Sequence, residues 1–143
     1  MILVDANVLL YAYHRESAHH EVAREWVESA FSQTESIGLS WGTITAFLRL
    51  STHPRIFTHP LTIERATAIV QSWIAVPVVT IVTPGPRHWE ILHGLLLGAQ
   101  ARANLVPDAH LAALAIEHGA ELLSNDRDFM RFSKLRFLPF PLG

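Results

Sequence analysis

A chain of 143 residues, half of them hydrophobic and 17% charged, carries a net charge of −2 at pH 7 and no cysteine. That length and composition suit one compact domain with a single sizeable core and argue against disorder. The missing thiols exclude disulfide frameworks, thiolate zinc sites and cysteine nucleophiles, and the small net charge argues against a strong general nucleic-acid binder.

The chain opens with "MILVDANVLLYAY". Ile2–Asp5 reads as a short buried strand, and a helix is expected from Asn7 to about His14. No basic residue precedes this apolar run and Asp5 interrupts it, so it does not read as a secretory leader. The other apolar stretches are broken by Pro77 or by His93, Gly94 and Gly98, so no membrane span and a cytoplasmic location are expected. No repeat, linker or low-complexity tract divides residues 1–143, which read as a single domain.

Ala23, Trp26, Val27, Ala30 and Phe31 recur at helical spacing, with Glu21, Glu25 and Glu28 off the stripe. Ile37–Ser40 is a second strand candidate, and Trp41–Thr52 a helix that ends before Pro54. Thr62 is placed to cap a helix with the stripe Ala66, Ile69, Val70, Trp73 and Ile74, closed by Pro77. Val78–Val82 is β-branched and reads as a strand. Pro86 suits the first turn of a helix whose stripe is Trp89, Leu92, His93, Leu96 and Leu97. Pro107–His118 is apolar almost all round, a buried helix closed by Gly119. "AELLSND" and Leu135–Leu138 complete the strands. Strands alternating with helices indicate an α/β sandwich around a mainly parallel sheet.

In such folds ligands sit outside the carboxyl ends of the strands. Asp5 ends the first strand and Asp126 ends the strand in "AELLSND", while Asp108 lies in the first turn of the buried helix. Three carboxylates at element ends, converging, need a cation to remain ionised together. Oxygen donors without thiolate select Mg²⁺ or Mn²⁺, with Asp5 and Asp108 as the metal ligands and all three acids as catalytic candidates. Such a metal activates water and binds a phosphate oxygen, which is phosphodiester hydrolysis chemistry. Asp128 is the weaker neighbour of Asp126, since only one of the two need point inward.

"MILVDANVLLYAY", "AFLRLSTHPRIF" and "LVPDAHLAALAIEHGAELLSNDRDFMRF", in that order, resemble the PIN-domain ribonucleases and, more narrowly, the VapC toxins of type II toxin–antitoxin modules. The resemblance spans nearly the whole chain. It implies a PIN-like three-layer α/β/α fold, Mg²⁺- or Mn²⁺-dependent endoribonuclease activity on RNA, a VapB-type antitoxin as partner and a homodimer. The family's acids fall on Asp5, Asp108 and Asp126. One departure stands out: where the related toxins usually carry Glu, this chain has Ala46, which cannot bind metal or water. The resemblance therefore also admits a PIN-like RNA- or protein-binding module with weakened chemistry. A phosphatase with Asp5 as nucleophile is disfavoured, because such enzymes need a second acid where "DAN" has Asn7.

Arg49, three residues after Ala46 on the same helix, is the expected basic neighbour of the acids. Thr43 or Thr45 are candidates for water-mediated support. Nine histidines form no H-E-x-x-H pattern; His14, His19 and His20 lie in a stretch expected to be exposed, and His93 and His118 on helix stripes. His110 is two residues beyond Asp108, which turns it to another side of the helix, so no chemistry is expected of it. Trp26, Trp73 and Trp89 fit core spacing, whereas Trp41 has no stripe to claim it. Ten of the eleven basic residues are Arg, and four basic residues between Arg127 and Arg136 make a local patch or an ordinary solvated face.

Overall fold

The computed structural model describes residues 1–142. The chain runs through β1 (Ile2–Val4), α1 (Ala6–Tyr13), α2 (His20–Ala30), β2 (Ile37–Leu39), α3 (Trp41–Ser51), α4 (Ile63–Ile74), β3 (Val79–Ile81), α5 (His88–Gly98), α6 (Leu105–Glu117), β4 (Glu121–Ser124) and β5 (Arg136–Pro139). A 3₁₀ turn, Arg127–Arg131, joins the last two strands. The five strands form one sheet in the order β3-β2-β1-β4-β5, and every neighbouring pair is parallel. The sheet is therefore wholly parallel, more uniform than "mainly parallel".

Alternation along the central strands divides the core in two. Val4 and Leu123 face the layer built from α1, α2, α3 and α4, where Phe47 and Trp73 are fully buried. Leu3 and Leu122 face the opposite layer, made by α5, α6 and the 3₁₀ turn with Phe129. Helices thus cover both faces, which is why the central strand β1 is an unbroken apolar run and β4 carries Leu122 and Leu123 side by side. The rings of Phe47 and Trp73 meet at 4.6 Å, and the Trp73 indole N–H donates to the Tyr13 hydroxyl at 2.9 Å.

Caps set the helix starts. Thr62 Oγ1 accepts from the Arg65 N–H at 3.2 Å, and Ser40 Oγ from the Thr43 N–H at 3.0 Å. Helix α6 begins two residues earlier than its pattern indicates, at Leu105, because Pro107 is tolerated in a first turn, where its missing N–H is not needed. Gly119 closes that helix at φ 64°, a left-handed conformation that glycine adopts without strain.

Two expectations fail. On α5 the side turned to the core carries Ile91, Leu92 and Leu95, while Trp89 and Leu97 are exposed and His93 stacks on Trp89 at 5.3 Å. Apolar residues surround this helix, so its pattern selects no face. His14 is buried rather than exposed: its Nε2 is 3.1 Å from Ser51 Oγ and its ring stacks on Phe57 at 3.6 Å. Trp41 is exposed, and the four basic side chains between Arg127 and Arg136 all face solvent. Among the described residues, no helix is long and apolar enough to cross a membrane.

Candidate active site

Strand order locates the site. The chain winds outward from β1 through β2 to β3, then returns to place β4 on the other side of β1. The reversal leaves a crevice at the carboxyl ends of β1 and β4, where ligands of parallel sheets bind. Asp5 follows β1 and Asp126 follows β4 by two residues, so the sheet brings together two acids that lie far apart in sequence.

Asp5 is firmly held. Its Oδ1 accepts from the Ala6 N–H at 2.8 Å, capping α1, and its Oδ2 accepts from the Ser124 hydroxyl at 2.7 Å and from Asn7 Nδ2 at 3.4 Å. Ser124 Oγ in turn accepts from Asn7 Nδ2 at 3.1 Å and from the Asp126 N–H at 3.0 Å. Asn7 Oδ1 accepts from the Asn125 N–H at 3.2 Å, and Asn125 Oδ1 from the Tyr11 hydroxyl at 3.0 Å. This network ties α1 to the end of β4 and fixes the direction in which Asp5 points.

A cleft of about 460 Å³ opens beside it, lined by Asp5 and Asn7 from α1 and its cap, Thr43, Ala46 and Arg49 from α3, and Asp108 and His110 from α6. Asp5 and Asp108 therefore share one space, with Ala46 on its wall. Arg49 lines the same cleft and joins no ion pair among the described residues. Thr43 is buried, its hydroxyl donating to Val4 O at 3.4 Å, whereas the Thr45 hydroxyl turns back to Trp41 O at 2.8 Å and is not on the cleft.

Asp126 stands at the edge of this cluster. It does not line the cleft, and its Oδ1 caps the 3₁₀ turn by accepting from the Asp128 N–H at 2.9 Å. Its charge still reaches both other acids. Burial, then Asp126, Asp5 and Asp128 in that order, push the Asp108 carboxyl up to about 6. Asp5 is also raised, chiefly by burial and further by Asp126, against the pull of its Ser124 and Ala6 hydrogen bonds. Asp128 turns outward, 3.7 Å from Arg131.

These donors suit a hard divalent cation. They are all oxygen, and the Asp108 carboxyl, raised to about 6 by burial and then by like charges, is one that a cation would favour in its ionised form. Among the described residues no three Asp, Glu or His side chains are close enough to enclose an ion alone.

A model of the PIN domain matches residues 2–135. The chain belongs to the PIN-domain family.

This PIN-domain chain is 44% identical over 137 residues to Ribonuclease VapC37 of Mycobacterium tuberculosis (strain ATCC 25618 / H37Rv), covering 96% of the chain and 95% of that protein. It is 38% identical over 142 residues to Ribonuclease VapC31 of the same strain, covering 99% of the chain and all of that protein. Among solved structures, VapBC2 from Rickettsia felis, bound to a DNA fragment from its promoter, matches with a TM-score of 0.68 at 16% identity, over 96% of this chain and 97% of that one. Mycobacterium tuberculosis VapC20, a Sarcin-Ricin loop cleaving toxin, matches with a TM-score of 0.65 at 20% identity, over 95% of this chain and 99% of that one. These two likenesses carry the PIN fold.

Sequence reasoning missed two parts of the PIN-domain site. The first is the brace of Asn7, Ser124, Asn125 and Tyr11; the "DAN" and "SND" triplets hold most of it, but only the pairing of β1 with β4 joins them. The second is His110, which lines the cleft with Asp108 instead of facing away. The cleft wraps a wide arc of α6: Asn104, Pro107, Asp108, His110 and Leu111 fall within about 160° at 3.6 residues per turn. Burial and the neighbouring His88 ring lower the His110 pKa, so the neutral ring prevails near pH 7.

Removing the Ser124 hydroxyl tests the brace. Ser124→Ala leaves Asp5 Oδ2 without its shortest partner and is expected to weaken Mn²⁺ binding by about 10-fold, the effect of losing an outer-shell partner. Calorimetric titration with Mn²⁺ measures this, and unchanged affinity would show that the brace does not orient Asp5.

Proposed function

We infer that the chain is a Mg²⁺- or Mn²⁺-dependent endoribonuclease that hydrolyses RNA phosphodiester bonds as the toxin of a VapBC-type toxin–antitoxin module. The observation that carries this reading is the shared cleft of Asp5 and Asp108 at the switch point of the sheet, with the Asp108 carboxyl raised to about 6 by burial and then by its acidic neighbours. The names of its relatives, Ribonuclease VapC37 and VapC31, support the reaction class, and the VapBC2 structure supports a VapB-type antitoxin as partner.

In this reading Asp5 and Asp108 hold the metal, and Asp126 adds negative charge at its edge. A divalent ion there supplies Lewis acidity toward a phosphate oxygen and lowers the pKa of water. Arg49, which lines the cleft and has no acidic partner among the described residues, is placed to attract a phosphate, as a guanidinium does with paired N–H donors. The network through Ser124 and Asn7 keeps Asp5 from swinging away as substrate enters. The cleft is lined at one end by the first turn of α6, whose dipole favours anions. A single domain over residues 1–143, a homodimer and a cytoplasmic location belong to the same reading.

Incubating total RNA with the protein in Mn²⁺ or Mg²⁺, and again with excess EDTA, tests the assignment. Discrete cleavage that EDTA abolishes is expected; RNA left intact in every metal sinks the endonuclease reading. RNA bound but uncut would favour the second reading, a binding module, which the wall position of Ala46 supports by leaving the cleft one carboxylate short.

Ala46 allows a gain-of-function test. Ala46→Glu puts another carboxylate on the cleft wall opposite Asp5 and Asp108, and should tighten Mn²⁺ binding by about 10-fold while lowering metal-free stability through repulsion. Titration and thermal melts with and without Mn²⁺ measure both effects. A variant with unaltered metal affinity would place residue 46 outside the metal's reach.

A further inference from the structure

We propose that the indole of Trp41, on the rim of the cleft, is a platform on which one unpaired base of a bound RNA strand stacks. The inference rests on the nuclease reading for the identity of the ligand. It adds the form in which the RNA must arrive, single-stranded at the point of contact.

Trp41 is the first residue of α3, and its ring is not needed for the fold. It is 54% exposed and joins neither half of the core. The other exposed tryptophan, Trp89, stacks on His93 of its own helix and lines no part of the cleft. Trp41 is placed differently, because both residues that flank it, Ser40 and Gly42, line the cleft.

Strand register fixes where it stands. β1 and β2 run parallel with Leu3 opposite Gly38, so two residues further on Asp5 is level with Ser40. Neighbouring strands are about 4.8 Å apart. α3 therefore starts one strand away from the acid, and Trp41 is the residue with which it starts. Trp41, Thr45 and Arg49 follow one another at i, i+4 and i+8, a ridge about 12 Å long. Each step of four residues turns this ridge by about 40°. Arg49 at one end thus lines the cleft, while Trp41 at the other stands on its rim. Gly42, beside the indole, has no side chain to wall the ring off from the cleft.

The chemistry of the ridge matches one strand of nucleic acid. Arg49 has no acidic partner among the described residues and attracts a phosphate, whereas Trp41 offers a flat apolar face that any base can cover. Proteins that hold unpaired strands combine these two parts, cationic contacts along the backbone and aromatic rings under the bases. A base paired and stacked within a duplex has no free face to give, so the platform selects loops and single strands. A docking protein fits less well, because it needs a contiguous apolar patch. The other exposed residues of α3 are Gly42, Thr45 and Arg49, which leave the indole an isolated apolar spot on that helix.

The test compares an oligouridylate with a set of copies that each lack the base at one position, their affinities read by fluorescence anisotropy in Ca²⁺. For wild type, one copy should bind about 10-fold more weakly than the intact oligomer, the effect of one stacked base. Trp41→Ala should lose the same factor on the intact oligomer and nothing more on that copy. Trp41→Phe, which keeps an aromatic face, should bind nearly as wild type. Because the ring is exposed, both variants should melt at the wild-type temperature. Trp41→Ala binding the intact oligomer as tightly as wild type overturns the proposal and leaves the indole to a protein partner. Losses that multiply on every copy also overturn it, since the ring and the bases would then act independently. Failure of the nuclease reading is distinguishable: total RNA left intact in Mn²⁺, with the base-dependent loss still present, sinks the cleavage and keeps the platform. An oligomer that wild type does not bind overturns both.

Discussion

Asp5→Asn is expected to reduce metal-dependent RNA cleavage by about 10²- to 10³-fold, equivalent to losing several kcal/mol of transition-state stabilisation. The side chain keeps its shape. Asn is as good a helix cap as Asp, so its Oδ1 can still accept from the Ala6 N–H and the start of α1 should survive. What goes is the negative charge, together with the Oδ2 acceptor that the Ser124 hydroxyl donates to at 2.7 Å. Ser124 Oγ already accepts from Asn7 Nδ2 and the Asp126 N–H, so the new amide finds no acceptor there and this side of the brace loosens. The measurement is the rate of RNA cleavage in Mn²⁺ beside a thermal melt. A folded variant that cuts as fast as wild type would remove Asp5 from the reaction and the site with it.

Asp108→Asn should separate activity from stability. Activity should fall as for Asp5, since Asp108 is the second acid proposed to hold the metal. Stability without metal rises. The Asp108 carboxyl lies at about 6 in the folded protein against 3.8 for the free residue. An acid whose pKa is raised by folding binds its proton more tightly when folded, so its ionised form opposes folding above that pKa. The cost is full at neutral pH, shrinks as pH falls through 6, and is gone near 4, where the unfolded chain also takes up the proton. Asp108 is only half buried, so solvent screening cuts the cost to about 1 kcal/mol. The amide mimics the protonated acid. In EDTA the variant should melt about 3 °C above wild type at pH 7, with the gap closing towards pH 4. Adding Mn²⁺ at pH 7 should raise the wild-type melting point and leave the variant's nearly unmoved. A variant no more stable than wild type at pH 7 would show that burial and the neighbouring acids do not penalise the ionised Asp108.

What could be read from the residues followed from local rules. The strand–acid–helix pattern of "ILVDANVLLYAY" is a contiguous signal, and so is the Thr62 cap that starts α4. Placing acids at strand ends needed only the rule that parallel sheets bind ligands there. Features that depend on which strands are neighbours were out of reach. Ser124 and Asn7 form one hydrogen-bonded unit only because β4 lies beside β1, and nothing in either segment announces the partner. The exposed side of α5 was unreadable for a different reason: with Trp89, Ile91, Leu92, Leu95, Leu96 and Leu97 spread around the helix, only the position of the sheet chooses Leu95 over Trp89 as the buried residue. His110 was misplaced because helical spacing gives a direction, whereas the width of the cleft decides how many directions reach it.

The central position of β1 between β2 and β4 has a consequence during synthesis. Asp5 is made well before the hydroxyl that steadies it, which belongs to Ser124, 119 positions later. Contacts so distant along the chain form late, after a large loss of loop entropy. A ribosome-bound fragment that stops short of β4 has its leading acid but neither the strand beside it nor the brace around it. The braced form of Asp5 thus stays unassembled until β4 has been made and has paired with β1.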